Sequence, residues 1–251
     1  MQLPVFFRSG FLISVILALQ AIGAHGDEPA FLHDIASFRT AKKISTRIHA
    51  DARYSFYCGC SYAYRRDASQ RYARNHVEPR DCGYEPARSS ERARFIEWEH
   101  VVPAYDFGRT RSCWREGHPR CKGRGRKCCR KVDPIFRAME ADLHNLQPAI
   151  GELNQDRGHL GFGLIPGEER DYGACDFEVD RHARVVEPRP EVRGDIARTY
   201  FYMERMYGVR ISRKNRRLFE TWDAQDPISP REQRRNRRIM EVQGNSNPFV
   251  F

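Results

Sequence analysis

Eight cysteines constrain the fold of this chain more than any other feature, because disulfides between them would tie distant segments together. They are Cys58, Cys60, Cys82, Cys113, Cys121, Cys128, Cys129 and Cys175. An even number of cysteines in an exported chain predicts disulfides, although the sequence leaves their connectivity open. A bridge between neighbours such as Cys128 and Cys129 is strained, and Cys58 and Cys60 would point the same way on a strand. We therefore expect each of these four cysteines to pair elsewhere.

The first 26 residues have the composition of a secretory signal peptide. Arg8 supplies a positive charge, residues 11–21 are almost wholly apolar, and Ala24 and Gly26 are small residues suited to a cleavage site. The apolar run is too short for a membrane span, which needs ~20 residues. We predict that residues 1–26 are removed. Residues 27–251 are then expected to form one domain, a periplasmic or secreted monomer without stable membrane association.

The charge of the chain suits a polyanionic partner. The formal net charge is +10, and removing Arg8 with the signal peptide lowers it to +9. Such an excess of positive charge is typical of proteins that bind nucleic acid. Because most surface charges serve only to solvate a protein, the net charge becomes informative only beside a site whose chemistry acts on such a partner.

Hydrophobic spacing predicts a mainly helical α+β domain. The expected helices cover residues 31–49, 134–143, 150–157, 191–207, 213–223 and 230–244. The expected strands cover residues 56–64, 94–102 and 145–149, with another short one near 177–179. Asp133-Pro134 and Ser229-Pro230 match helix starts, and Gly208 matches a helix end. Residues 65–90 are polar and irregular, which predicts loops.

Residues 109–131 have no hydrophobic periodicity, which predicts a loop held by two disulfides. We expect Cys113 to pair with one of Cys128 and Cys129, and Cys121 to pair with the other. A zinc site is the alternative, since His118 lies among these cysteines. The spacing lacks a Cys-x-x-Cys pair, and an exported protein favours disulfides, so we prefer the cross-linked loop.

A carboxylate next to an imidazole marks the candidate catalytic centre. The sequence there is Glu97-Trp98-Glu99-His100-Val101-Val102-Pro103, and Asn154 follows further along the chain. Carboxylate and amide oxygens suit Mg²⁺, and an imidazole with a pKa near ~6.5 can take a proton from water. Together these groups would hydrolyse a phosphodiester. Since adjacent strand residues face opposite sides, Glu99 and His100 can share a site only if the strand ends, twists or bulges there.

Several short motifs, spread over nearly the whole chain, occur in the order found in one nuclease family. They are Phe56-Tyr57-Cys58-Gly59-Cys60, Cys82-Gly83-Tyr84, the run from Glu97 to Pro103, Cys113-Trp114, Met139-Glu140-Ala141-Asp142-Leu143-His144-Asn145-Leu146, Ile196-Ala197-Arg198-Thr199-Tyr200-Phe201-Tyr202-Met203 and Val242-Gln243-Gly244-Asn245. On these residues the chain resembles the bacterial endonuclease I family. Members of that family are periplasmic or secreted nonspecific nucleases with a ββα-metal (His-Me finger) active site.

The resemblance implies a role for each residue of the centre. His100 would be the general base, and Glu99 and Asn154 would hold one Mg²⁺, for which Mn²⁺ or Ca²⁺ could substitute. Asn145 competes with Asn154 as the second ligand. We prefer Asn154, because a residue one turn into a helix can face the strand pair. The implied reaction is hydrolysis of DNA, with RNA as an alternative substrate, at any sequence and with 5′-phosphate products.

Arginines are the candidates for contacting the phosphate. The resemblance implies one transition-state arginine in the cysteine-rich loop, for which Arg126 is our first choice and Arg130 our second. Arg157 and Arg198 are further candidates for substrate binding. Glu140 is a candidate for supporting the site or protonating the leaving group, although it could equally be a solvent-facing helix residue.

Two other functions fit parts of the sequence. One is an exported protein that binds polyanions without catalysis, which would use the basic loop and the C-terminal helix. The other is a zinc-dependent hydrolase. A binding protein has no need of Glu99, His100 and Asn154, so these residues favour the nuclease.

Overall fold

Helices surround three small sheets in the computed structural model, which describes residues 1, 33–35, 37–65, 74–88, 90–167 and 169–251. The helices over these residues are α1 (Phe38–Ile48), α2 (Ala104–Gly108), α3 (Ser112–Arg115), α4 (Arg126–Val132), α5 (Pro134–Ala141), α6 (Gly151–Arg157), α7 (Arg193–Tyr207), α8 (Arg213–Gln225) and α9 (Pro230–Gln243). The strands are β1 (Tyr62–Arg65), β2 (Arg74–Val77), β3 (Ile96–His100), β4 (Leu146–Ile150), β5 (Gly161–Phe162), β6 (Phe177–Asp180) and β7 (Val185–Pro188). The predicted α+β class is confirmed.

A pair of antiparallel strands and the helix that follows them form the centre of the fold. β3 pairs with β4 from Ile96↔Ile150 to His100↔Leu146, and α6 starts directly after β4. Leu153 of α6 is fully buried, so the helix packs against the core beside these strands. The predicted order of strand, strand and helix is therefore confirmed, with boundaries that differ by at most two residues.

Helix ends agree with the capping signals in the sequence. The Asp133 carboxylate accepts a hydrogen bond from the Phe136 backbone N–H at 3.0 Å, and Pro134 opens α5. The Ser229 hydroxyl accepts one from Glu232 N–H and begins α9 in the same way. Gly208 ends α7 with a φ of 66°, a conformation that glycine adopts without strain.

All eight cysteines are paired. The disulfides are Cys58–Cys175, Cys60–Cys82, Cys113–Cys129 and Cys121–Cys128. This confirms that Cys58 and Cys60, and likewise Cys128 and Cys129, pair with other cysteines. It also confirms two bridges within residues 109–131. The zinc alternative for this segment is wrong, because its four sulfur atoms are bonded to one another.

Several predicted boundaries are wrong, and the cross-links explain two of them. Residues 109–131 contain the short helices α3 and α4, which the Cys113–Cys129 disulfide joins, instead of a plain loop. The strand predicted at 56–64 starts only at Tyr62. The preceding residues form a turn in which Gly59 N–H donates to Ser55 O, and two disulfides fix this turn at Cys58 and Cys60.

Other segments contain more or less regular structure than expected. The helix predicted from residue 31 begins at Phe38, where the Ser37 hydroxyl caps it; residues 31, 32 and 36 lie outside the described residues. Between residues 65 and 90, β2 pairs with β1 instead of forming a loop. The single strand expected near 177–179 belongs to a three-stranded sheet in the order β5-β7-β6.

The predicted signal peptide lies outside the described residues, apart from residue 1. Over the described part of the chain, every helix is too short or too polar to cross a lipid bilayer.

Three of the five arginines on α9 bind neighbouring elements, whereas Arg234 and Arg237 are exposed. Arg231 donates to Tyr54 O, and Arg238 pairs with Asp51. Arg235 donates to the backbone oxygens of Leu143, His144 and Leu146. The C-terminal helix therefore offers much less cationic surface for a polyanion than its sequence indicates.

Candidate active site

A cleft of about 940 Å³ lies between α1, the β1–β2 hairpin, β3 and α6. Its lining includes five residues of interest, which are Glu97, Glu99, His100, Arg126 and Asn154. Four of these were chosen from the sequence as site residues. The fold thus brings the proposed base, both proposed metal ligands and the preferred arginine to one surface.

His100 is the last residue of β3, and its ring is held in one orientation. Nε2 lies 2.9 Å from the backbone oxygen of Glu140, and the ring centroid lies 4.7 Å from that of Phe38. Because a carbonyl oxygen can only accept a hydrogen bond, Nε2 carries the proton and Nδ1 keeps its lone pair. Burial, with a smaller effect of Arg126, lowers the pKa of His100 to about 4. The imidazole is therefore neutral at pH 7 and can accept a proton.

Glu99 and His100 are neighbours on β3 and reach the same cleft because the strand ends there. Glu99 points toward α6, where it meets Arg157, whereas His100 points toward α5 and α1. Their side chains lie on opposite faces of the strand, as alternation requires. Both still line the cleft, since the strand stops at this point.

Glu99 is buried, with only 3% of its surface exposed. Its Oε1 accepts hydrogen bonds from the Tyr57 hydroxyl and from Arg157 Nη1, both at 3.0 Å. Burial raises the pKa of Glu99 to about 6, although Arg157 and Tyr57 counteract this effect. A cation beside this carboxylate would favour its ionised form.

Asn154 lies on α6 and is oriented by Glu97, a residue that the sequence analysis did not select. Asn154 Nδ2 donates to Glu97 Oε2 at 2.9 Å, and Arg92 Nε donates to Glu97 Oε1 at 2.8 Å. Since an ionised carboxylate only accepts, the amide nitrogen must face Glu97. The amide oxygen of Asn154 is then left to bind another group. Glu97 could have been found from its spacing, because residues two apart on a strand share a face with Glu99.

The two oxygen donors suit a hard divalent cation. Mg²⁺ is bound by one or two protein oxygens and keeps several water molecules, for which the cleft has room. The competing ligand Asn145 is fully buried, and its side chain bonds both backbone groups of Val102, at 2.7 and 3.0 Å. Asn145 therefore connects the residues that flank β3 and β4, and its side chain lies outside the lining of the cleft.

Glu140 binds the two arginines proposed for the transition state. Its carboxylate accepts from Arg126 Nε at 2.5 Å and from Arg130 Nε at 2.7 Å. Burial of Glu140 raises its pKa, but the two guanidinium groups outweigh burial and lower it overall. Glu140 is thus ionised and has no proton for a leaving group. The solvent-facing alternative is also wrong, because its side chain is only 2% exposed.

Arg126 and Arg130 differ in their access to the cleft. Both side chains remain partly exposed, but only Arg126 is part of the lining. Glu140 holds Arg126 through one guanidinium edge, which leaves other N–H groups for an anion. The geometry therefore favours Arg126, the first choice from the sequence.

Arg157 and Arg198 cannot bind substrate as expected, because both are buried. Arg157 is 0% exposed and donates to Glu99 Oε1, to His100 O at 2.8 Å and to Val101 O at 2.5 Å. Arg198 is 1% exposed and forms a two-pronged pair with Glu232. Sequence alone could not separate these two internal arginines from surface ones.

Among the described residues, five other cationic side chains line the cleft and could contact a phosphate. They are Arg39, Lys42, Lys43, Arg74 and Arg92. The first three belong to α1, whose apolar side packs into the core through Ala41 and Ile48. The helix was predicted from the sequence, but none of its three cations was among the predicted site residues. The described site is therefore a neutral histidine and an oxygen-donor pair between basic walls.

Comparison with known proteins identifies the family of this chain. The family model for Endonuclease I matches residues 37–251. An extracellular deoxyribonuclease of Aeromonas hydrophila is 42% identical over 242 residues, covering 95% of this chain and 96% of that protein. A periplasmic deoxyribonuclease of the same species is 42% identical and covers 88% of each chain. Endonuclease-1 of Buchnera aphidicola subsp. Acyrthosiphon pisum (strain APS) is 41% identical and covers 86% of this chain and 81% of that protein. The chain thus belongs to the endonuclease I family of nucleases.

Proposed function

We propose that this protein is an exported, Mg²⁺-dependent endonuclease that hydrolyses phosphodiester bonds of DNA at any sequence and leaves 5′-phosphate ends. RNA is the alternative substrate. The observation that carries this proposal is the contact between His100 Nε2 and the Glu140 carbonyl oxygen. It fixes a neutral imidazole with a free lone pair, at the edge of a basic cleft that also holds two oxygen donors.

His100 acts as the general base in this proposal. Its Nδ1 accepts a proton from a water molecule, which then attacks phosphorus in line with the departing 3′ oxygen. The Glu140 carbonyl becomes a better partner for Nε2–H as the ring gains positive charge, because a hydrogen bond to an ionised donor is stronger. Phe38 packs on the ring and restricts its rotation.

Glu99 and Asn154 would hold Mg²⁺, with Mn²⁺ or Ca²⁺ as substitutes. A bound divalent cation supplies positive charge to the phosphoryl oxygens and the leaving group. The chain prepares both ligands before any cation binds. Arg157 and Tyr57 orient the Glu99 carboxylate through Oε1, and Glu97 turns the Asn154 amide so that its oxygen is available. Oriented ligands of this kind bind metal more tightly than free ones.

Arg126 would stabilise the charge that develops on the phosphate. A guanidinium fixed by Glu140 is already placed when this charge appears, so little free energy is spent on reorganisation. The cations of α1 would bind neighbouring phosphates of the strand. Contacts of this type position a nucleic acid but carry no sequence information, which supports cleavage at any sequence.

Export is supported by three features. The predicted signal peptide precedes the domain, the eight cysteines form four disulfides, and the relatives include proteins named extracellular and periplasmic. A polyanion-binding protein without catalysis would use the same basic walls. It would gain nothing from a buried neutral histidine beside two oriented oxygen donors.

A cleavage assay tests the proposal. Mature protein, residues 27–251, is incubated with supercoiled plasmid and with unrelated linear DNA, first with Mg²⁺ and then with excess EDTA. We expect degradation of every DNA with Mg²⁺, none in EDTA, recovery when Mg²⁺ is restored, and product ends that need no kinase before ligation. Full activity in EDTA would remove the metal from the proposal, and recovery with Zn²⁺ alone would favour a zinc-dependent hydrolase.

A further inference from the structure

Tyr64 is an aromatic side chain on the wall of the active cleft that the described chain leaves open. It is 57% exposed, although Tyr62 and Val77 on the same hairpin face are buried. It lines the same cleft as Glu99 and His100. A single exposed aromatic residue is ordinary on a protein surface, so its position beside the reaction centre needs a second observation.

Asn75 provides that observation. It lies directly opposite Tyr64 in the β1–β2 pair, so both side chains project from the same face of the hairpin. Asn75 also lines the cleft, yet its Oδ1 is shielded from solvent and accepts no hydrogen bond from any described residue. An amide end without a partner costs free energy, so a group that binds there would remove this cost.

The hairpin is fixed relative to the reaction centre. The Arg74 guanidinium lies 3.8 Å from the centre of the Phe95 ring, and His76 forms a β-bridge with Phe95. Phe95 directly precedes β3, which carries Glu99 and His100. A base bound on this face would therefore be held at a constant position relative to the scissile phosphate.

We propose that Tyr64 and Asn75 form a nucleobase subsite, an inference that rests on the proposed nuclease function. Tyr64 stacks on the base of a nucleotide next to the scissile phosphate, and the Asn75 amide hydrogen-bonds the edge of that base. An amide has both a donor and an acceptor end, and every base has a face for stacking, so the subsite accepts any base. It requires a base that is out of the duplex stack, which makes single-stranded or locally opened nucleic acid the preferred substrate.

Single-turnover cleavage of one single-stranded oligonucleotide and its duplex tests the subsite. Tyr64→Ala is expected to weaken single-strand affinity by about 5- to 150-fold, the range for losing one stacked base, with a smaller effect on the duplex. Tyr64→Phe keeps the ring and should behave like the wild type. Tyr54→Ala removes another exposed aromatic side chain, outside the cleft, and should leave the affinity for both substrates unchanged. Equal effects of Tyr64→Ala on both substrates would overturn the subsite.

An abasic substrate shows whether the contact is made to a base. Oligonucleotides with a single cleavable phosphodiester carry an abasic nucleotide on one side or the other of that bond. Wild-type protein should bind one of these abasic oligonucleotides less tightly than the intact one. In Tyr64→Ala and in Asn75→Ala, the abasic nucleotide should cause a smaller loss of affinity than it causes in the wild type. Additive losses would mean that Tyr64 and the base act independently, which overturns the subsite. If wild-type protein cleaves nothing with Mg²⁺, the nuclease proposal fails instead, so the two failures are distinct.

Discussion

Arg157 and Glu99 form an ion pair in the interior of the protein, with 3.0 Å between Nη1 and Oε1 and almost no exposure of either side chain. The same guanidinium also binds the backbone oxygens of His100 and Val101. Arg157 thus fixes both the proposed metal ligand and the end of the strand that carries the base. Arg157 therefore positions groups of the active centre but does not itself contact the substrate.

Arg157→Met should destabilise the protein, because it leaves the Glu99 carboxylate buried without its counter-ion. The expected loss in free energy of unfolding is roughly 3–5 kcal/mol, measured by urea denaturation. The double variant Arg157→Met/Glu99→Gln removes both charges and should recover part of this loss. Unchanged stability together with weaker DNA binding would instead identify Arg157 as a phosphate contact.

Glu97→Ala should weaken Mg²⁺ binding without removing a ligand. The Asn154 amide would lose the acceptor that orients it, and losses of about 10- to 100-fold are typical when such a partner of a metal ligand is removed. A titration of cleavage rate against Mg²⁺ measures the shift. Glu116→Ala removes an exposed carboxylate outside the cleft and serves as the control. Loss of all metal binding in Glu97→Ala would make Glu97 itself a ligand.

The central strand pair and helix could be predicted from sequence because their signals are local. Pro103 sets the end of β3, and Gly158 sets the end of α6. The motif around His100 shows which residues of β3 are the candidates for catalysis. The roles of the arginines could not be predicted in the same way. Arg157 and Arg39 have the same side chain, and only the three-dimensional fold places one against Glu99 and the other on the cleft wall.

Cross-links account for a second group of differences. The turn at Gly59 depends on the disulfide from Cys58 to Cys175, which is distant in the sequence. The short helices around Cys113 and Cys129 depend on the disulfide that joins these two residues. Hydrophobic periodicity carries no information about such constraints. By contrast, the pairing of Cys113 with one of two adjacent cysteines was predictable, because a bridge between neighbours is strained.

The double variant Lys42→Ala/Lys43→Ala should reduce the salt dependence of DNA binding. Each lost phosphate contact changes the slope of log affinity against log salt by about 0.9, so the double variant should differ by roughly 1.8. Binding is measured in EDTA to prevent cleavage. Lys214→Ala removes an exposed lysine outside the cleft and should leave the slope unchanged. A slope equal to that of the wild type in the double variant would exclude α1 from the phosphate path.

His144 should make the protein sensitive to acid. Burial lowers the pKa of His144 to about 4, although Asp142 raises it somewhat, and its Nε2 lies 3.0 Å from Asn245 O. Because the unfolded chain has a histidine pKa of ~6.5, it binds more protons than the folded chain between about pH 4 and 6.5. This contribution to stability is therefore complete above that window and is lost as the pH falls through it.

His144→Gln tests this linkage, since glutamine can still donate to Asn245 O. The free energy of unfolding of the wild type should fall more steeply with decreasing pH than that of the variant. The slopes should differ by up to about 1.4 kcal/mol per pH unit, which corresponds to one proton. Denaturant melts at several pH values, with a reference at pH 8, give both slopes. Parallel curves would show that another group causes the acid sensitivity.

The division of labour between His100 and Glu99 is the central claim, and single-turnover cleavage against Mg²⁺ concentration tests it most directly. His100→Ala should slow the chemical step by roughly 10²- to 10⁴-fold at every Mg²⁺ concentration, with DNA and metal affinity kept. Glu99→Gln preserves the size of the side chain but should need more Mg²⁺, so added metal should restore part of its rate. If His100→Ala loses metal while Glu99→Gln retains it, the two roles are reversed. If neither change slows cleavage, the catalytic centre lies outside this cleft.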